Sequence, residues 1–210
     1  MVTTGRPTSP TAPTPLEAEL IRLAGAVPDP ELPVISLAEL GVLRGIRVLS
    51  PDPDSGLGTG PGSDLGAGGG PDDGRMPSGD RLPGVRVEVE LTPTWTGCPA
   101  LDTMATDITE VLTAHGVAEV AVRTVLAPAW STDEISAEGR RKLAEAGVAP
   151  PRPQAAHEGR SGPVALELAI RCPHCGSTDT RLLSRFSSTA CKALRRCESC
   201  REPFDHFKEV

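Results

Sequence analysis

The chain has 210 residues but no tyrosine, only two tryptophans and three phenylalanines, and 22 glycines and 22 prolines. So little aromatic volume, with so much backbone punctuation, means that part of the length is not packed and the core is smaller than the length allows. Long apolar runs are missing too, so no membrane span is expected. The opening MVTTGRPTSPTAPTPLEAEL lacks the apolar segment of a secretory signal. That points to a cytoplasmic chain, where disulfides are rare. An excess of positive charge is also lacking: the net charge is −7, with +3 from Arg171 onward and −10 over residues 1–170. A nucleic-acid binder shows a basic stripe, so that class of partner is disfavoured.

What the sequence does have is cysteine in a telling pattern. Cys172/Cys175 and Cys197/Cys200 are two Cys-x-x-Cys pairs with 21 residues between the inner cysteines. Each pair can turn two sulfurs towards one point, and two such knuckles make the tetrahedral four-sulfur shell that zinc prefers. A segment this short cannot bury enough apolar surface to fold alone, so the metal would supply its folding free energy. Four thiolates and a zinc carry a charge of about −2, which brings this segment near neutrality. Two disulfides are disfavoured by compartment, and a thioredoxin-type redox pair would stand singly. An iron–sulfur cluster on the same four thiolates stays open at this point. Cys191, inside the segment, is left over once four ligands are assigned; it is a buried structural residue or a second functional thiol. His174 and His206 flank the site as surface groups or supports of the ligands.

Upstream, the pattern is that of a small α+β unit. Residues 1–13 read as a disordered tail. Thr14-Pro15-Leu16-Glu17 starts a helix with a capping box, and Leu16, Leu20, Ile21, Leu23 and Ala24 form its buried stripe. Asp29-Pro30-Glu31-Leu32-Pro33 cannot be helical and reads as a stiff, solvated turn flanked by two carboxylates. Ile35–Gly41 reads as a turn and Val42–Leu49 as a strand. Residues 51–83, with ten glycines and six prolines, form a flexible insert drawn as an overgrown hairpin loop. Val85–Leu91 alternates apolar and charged residues, as a strand covered on one face does. Cys98 is expected as the N-cap of a helix that ends at Gly116, where the dipole and free N–H groups would favour its thiolate. A small buried hydrophobe is the equal alternative for Cys98. Val117–Leu126 is a further strand, Trp130 a packing residue, and Ala137–Ala146 a helix stopped by Gly147. The first unit thus spans 14–148, a linker 149–163, and the ribbon 164–210, led by a strand over Val164–Arg171.

The fold class expected is α+β: helices covering an antiparallel or mixed sheet, followed by a four-cysteine zinc ribbon. Asp29-Pro30-Glu31, Glu39-Leu40-Gly41 and Thr92-Pro-Thr-Trp-Thr-Gly-Cys98-Pro99 resemble the iron–sulfur assembly domain of MIP18/SufT type. Pro128-Ala-Trp130-Ser-Thr-Asp and the segment Ser188-Thr-Ala-Cys191-Lys192-Ala-Leu…Arg-Cys197-x-Ser-Cys200-Arg-Glu-Pro-Phe-Asp-x-Phe-Lys208 resemble the phenylacetyl-CoA epoxidase subunits of PaaD/PaaJ type. The insert 51–83 is outside both patterns. The resemblance implies a non-catalytic accessory component of aerobic phenylacetate catabolism that assists iron–sulfur cluster assembly or insertion. Its partners would be the epoxidase components, above all the iron–sulfur reductase subunit, with a homodimer as a further option. It also implies that Cys98, with Asp29 and Glu31 nearby, is a transient ligand of iron or a cluster, and that the ribbon binds zinc or docks the client.

Overall fold

A computed structural model describes residues 13–49, 84–95, 97–152 and 169–209. The insert 51–83 and nearly all of the expected tail and linker lie outside these residues. The chain enters at helix α1, Pro15–Gly25, through the expected capping box. Glu17 N–H donates to Thr14 Oγ1 (3.2 Å), and the Glu17 carboxylate accepts the Thr14 N–H (2.8 Å). The same carboxylate accepts the Val48 N–H at 3.2 Å, so the cap also pins the helix to its neighbouring strand. Leu20 and Ala24 are buried, with Leu16, Ile21 and Leu23 packed beside them.

Strands β1 (Leu43–Leu49) and β2 (Arg86–Leu91) pair antiparallel, Ile46 opposite Val89 and Val48 opposite Val87. Helix α3, Ala100–Ala114, then carries the chain back so that β3 (Glu119–Thr124) pairs parallel to β2. The sheet order is β1-β2-β3, a mixed sheet. Val87, Val89 and Leu91 are buried in one core with Met104, Ile108 and Leu112 of α3. On the other face Arg47 and Arg123 flank Glu88 and Glu90 in a cross-strand ladder of ion pairs. Gly116, just past α3, has φ +93°, the left-handed geometry that releases a helix end.

Two expectations change. Ile35–Gly41 is not a plain turn. It contains α2, Leu37–Leu40, with its own capping box between Ser36 and Glu39. One helical turn is too short to show a periodic stripe. Gly41 ends it at φ +79°, where a Cβ would stand 2.6 Å from the Glu134 carbonyl oxygen. The boundary between unit and linker changes as well. After α4 (Ala137–Glu145), β4 (Val148–Ala149) pairs parallel to β7 (Pro203–Phe207), so the expected break at residue 148 runs through a strand of the ribbon sheet. A two-residue strand has no periodicity to read. The ribbon sheet is completed by β5 (Thr180–Ser184) and β6 (Lys192–Cys197), in the order β4-β7-β6-β5. Of the expected strand Val164–Arg171, only Ala169–Arg171 is described, and these residues are not in a strand.

The two sheets are fastened by Trp130. Its Nε1–H donates to the Leu40 carbonyl at 3.0 Å, and its ring lies 5.9 Å from that of Phe207 on β7. Within the first unit, Arg44 ties β1 to the segment after Trp130 by pairing with Glu134, and it donates to Thr92 Oγ1 at 2.7 Å. Trp130→Ala would leave a cavity between the sheets and an unmet carbonyl at Leu40. A loss of about 3–5 kcal/mol is expected, read as a lowered urea midpoint.

On β7, burial and the neighbouring Arg195 push the His206 imidazole down to about 4. The unfolded chain takes up this proton near pH 6.5. The contribution is therefore full above pH 6.5 and is lost as pH falls towards 4, in total about 3 kcal/mol. Urea titrations at pH 4.5 and 7 should show a shallower acid loss in His206→Gln than in the parent.

Candidate functional site

The two cysteine pairs form matched knuckles. Gly176 N–H donates to the Cys172 carbonyl (2.9 Å), and Cys172 N–H to the Ser177 carbonyl (2.9 Å). In the second knuckle, Cys200 N–H points at Cys197 Sγ at 3.5 Å. The residue after each pair, Gly176 or Arg201, has positive φ, +74° and +68°, which turns the chain back over the sulfurs. A hydrogen bond between the Ser177 and Ser199 hydroxyls (2.8 Å) ties knuckle to knuckle. The four sulfurs lie within 4.8 Å of one another, the only such set of three or more candidate ligand atoms among the described residues. The donor set therefore fits one thiophilic cation in a tetrahedral shell. The Cys200 N–H, with that of Ser199, pulls the Cys197 thiol down to about 6, so one ligand is ready to ionise near neutrality. His174 is exposed outside the set, its ring 3.2 Å from where a Cβ on Gly147 would stand.

The second location is the loop between β2 and α3. Cys98 N–H donates to the Trp95 carbonyl at 3.1 Å, and α3 begins at Ala100 with Pro99 as its N-cap. Cys98 is therefore one residue ahead of the cap, half-buried against the core. The expected stabilisation of its thiolate is reversed. Burial pushes the thiol up, the Ala100 N–H opposes this without prevailing, and Glu31 and Asp29 push it further. Loss of hydration in this corner outweighs one helix end.

Asp29 also departs from expectation. It is only 4% exposed, so the turn it opens is no solvated surface feature. Its Oδ1 accepts the N–H groups of Glu31 (2.9 Å) and Leu32 (2.7 Å), and its backbone N–H donates to Ile35. Burial raises its carboxyl group; burial and then Asp29 raise that of Glu31.

Cys191 comes from the ribbon yet lies in the core of the first unit, with Thr189 Oγ1 3.1 Å from its sulfur. Burial raises its thiol, and Glu31 and Asp29 add to the effect. Cys98, Cys191, Asp29 and Glu31 are thus gathered at one junction, while the four ribbon cysteines stand apart as a second centre. Lys192 belongs to this junction without any sign of it in the sequence. It is buried, its ammonium 3.0 Å from Asp205, and its charge reaches both carboxylates. One lysine in a basic segment carries no sequence signal for this role.

The small ribbon core holds Ala149, Ile170, Cys172, Cys197 and Phe204, two of which are ligand cysteines. Chelating the metal should therefore release β5 and both knuckles to rapid amide exchange. The amides of β1–β3 should stay protected, because their core lies elsewhere. Hydrogen exchange before and after chelation reads both effects.

Residues 157–208 match the PaaD zinc beta ribbon domain. A protein of Escherichia coli strain K12, named as a subunit of a 1,2-phenylacetyl-CoA epoxidase, is 35% identical over 190 residues, which is 90% of this chain and 91% of the relative. A crystal structure of a domain of unknown function, DUF59, from Bacillus anthracis aligns with 61% of this chain and 91% of its own at 20% identity, TM-score 0.42. No helix in the described residues is long and apolar enough to cross a membrane. With a relative at 35% identity along nearly the whole of both chains, and the matching ribbon, this protein belongs to the PaaD family of phenylacetyl-CoA epoxidase subunits.

Proposed function

We propose that the chain is an accessory subunit of a phenylacetyl-CoA epoxidase system that assists assembly or insertion of an iron–sulfur cluster, without itself being catalytic. The observation that supports this reading is that Cys98 lies within electrostatic reach of the buried Asp29 and of Glu31. A thiol and carboxyl groups in one another's reach are donors that iron can use. One thiolate is too few ligands to hold a cluster firmly, which suits a carrier that must let go. The client would supply the remaining ligands; the iron–sulfur reductase component of the epoxidase is the partner this chemistry favours. Zinc is the metal we assign to Cys172, Cys175, Cys197 and Cys200, as the shell of four thiolates suits it and the family model is that of a zinc ribbon. Its role is structural: it closes the ribbon, whose own apolar core is small. The cytoplasm, where thiols stay reduced, is the compartment this chemistry requires.

A second reading is a structural or docking component of the oxygenase complex. It is favoured by the exposed Leu182 and Phe186 of the ribbon, which line one groove with the exposed Trp95. Apolar side chains grouped in this way mark contact surfaces.

Metal and sulfide analysis of anaerobically purified protein separates the two. One zinc per chain in both parent and Cys98→Ser, with iron and sulfide only in the parent, is expected for a carrier. Zinc alone in both would favour the docking role, and iron in both would make the four-cysteine shell the cluster site.

A further inference from the structure

Trp95 stands between two grooves. On one side, a groove of about 380 Å³ is lined by Leu182, Arg185, Phe186, His206 and Lys208 of the ribbon. On the other, a groove of about 390 Å³ runs past Leu126 to Trp130. Among the described residues, four of the seven exposed large apolar side chains lie here: Trp95, Leu126, Leu182 and Phe186. Leu126 and Phe186 are more than half exposed. A small ligand in one groove would leave the other in water, whereas a partner chain can cover the whole strip across Trp95.

The ribbon side of this strip is positive. Lys208 Nζ lies 4.8 Å from the centroid of the Trp95 ring and 4.5 Å from that of Phe186, and it donates to the Arg185 carbonyl at 3.4 Å. Two ring faces and a carbonyl hold the ammonium in place without neutralising it. Neither Lys208 nor Arg185 forms an ion pair among the described residues, and no acidic side chain lines either groove. On the floor, His206 is 8% exposed, and its Nε2 has no hydrogen-bond partner among the described residues. Buried polar atoms seldom stay unpaired, so this floor has a hydrogen bond still to make.

We propose that this groove docks an acidic segment of another epoxidase component, with an apolar side chain against Trp95, Leu182 and Phe186 and carboxylates paired with Arg185 and Lys208. This rests on the docking reading and adds the chemistry of the partner. The apolar contacts supply the affinity, and the two cations set orientation and exclude basic segments.

The test is calorimetric titration of each purified epoxidase component into the full chain with zinc in its ribbon. Retained zinc reports an intact ribbon in every variant. One component should bind the parent, with Kd raised about thirtyfold in Phe186→Ser and about tenfold in the double variant Arg185→Glu with Lys208→Glu. Added potassium chloride should weaken binding to the parent and have little effect on the double variant. If Phe186→Ser loses its zinc, Leu182→Ser is read in its place. Binding that is equal in the parent and all these variants would overturn the groove and leave the docking reading standing. A loss in Phe186→Ser alone, with no effect of salt or of charge reversal, would overturn the acidic partner. Self-association of the parent that the same variants abolish would mean that a second copy covers the groove, and would overturn the proposal. No binding of any component to the parent would overturn the docking reading as well.

Discussion

The contact on which the molecule depends is the one between Trp130 and its two partners, the Leu40 carbonyl and the Phe207 ring. Leu40 ends a one-turn helix of the first unit, and Phe207 belongs to the ribbon sheet, so a single side chain spans both. Its indole meets each with what that partner lacks: a donor for a helix-end carbonyl, and apolar area for an aromatic ring. The pairing of β4 with β7 fixes the same junction along the backbone. A zinc ribbon joined by a tether alone could swing. Here it is registered against the mixed sheet, and that registration brings Cys191 to Cys98.

The six cysteines then divide into two kinds by environment. The four ribbon sulfurs crowd together, and the backbone N–H groups aimed at Cys197 bring that thiol to the edge of ionisation near neutrality. Cys98 and Cys191 sit in an apolar corner, where burial first and the charges of Glu31 and Asp29 after it raise both thiols. Burial and neighbouring charge, not residue type, thus set the two kinds of cysteine apart.

Local chemistry is readable in the chain wherever it follows from a few adjacent residues. The capping box at Thr14 and Glu17, the helix ends at Gly116 and Gly147, the alternation of β2 and the spacing of the ribbon cysteines all appear where the sequence leads one to look. Features that depend on distant partners do not announce themselves. The two residues of β4 become a strand only because β7 lies beside them. Asp29 reads as a surface turn residue because nothing near it in sequence says that it will be covered. Cys98 can be placed at a helix start, but the burial that reverses its expected ionisation comes from the packed core, and the carboxylates that add to it lie some 70 residues earlier. Cys191 can be recognised as surplus, and only the docking of the ribbon says where the surplus goes.

The scarcity of aromatic residues also decides how this protein can be watched. With no tyrosine and two tryptophans, its ultraviolet emission is a sum of two indoles in opposite settings. Trp130 is enclosed between the sheets against Phe207; Trp95 is 40% exposed on the cysteine loop, with the Lys208 ammonium over its ring. The first emits from an apolar enclosure and reports whether ribbon and sheet are joined. The second emits from a wet, cationic setting and reports events at the loop of Cys98. The molecule thus carries two built-in optical reporters, one for its architecture and one for the loop that bears Cys98.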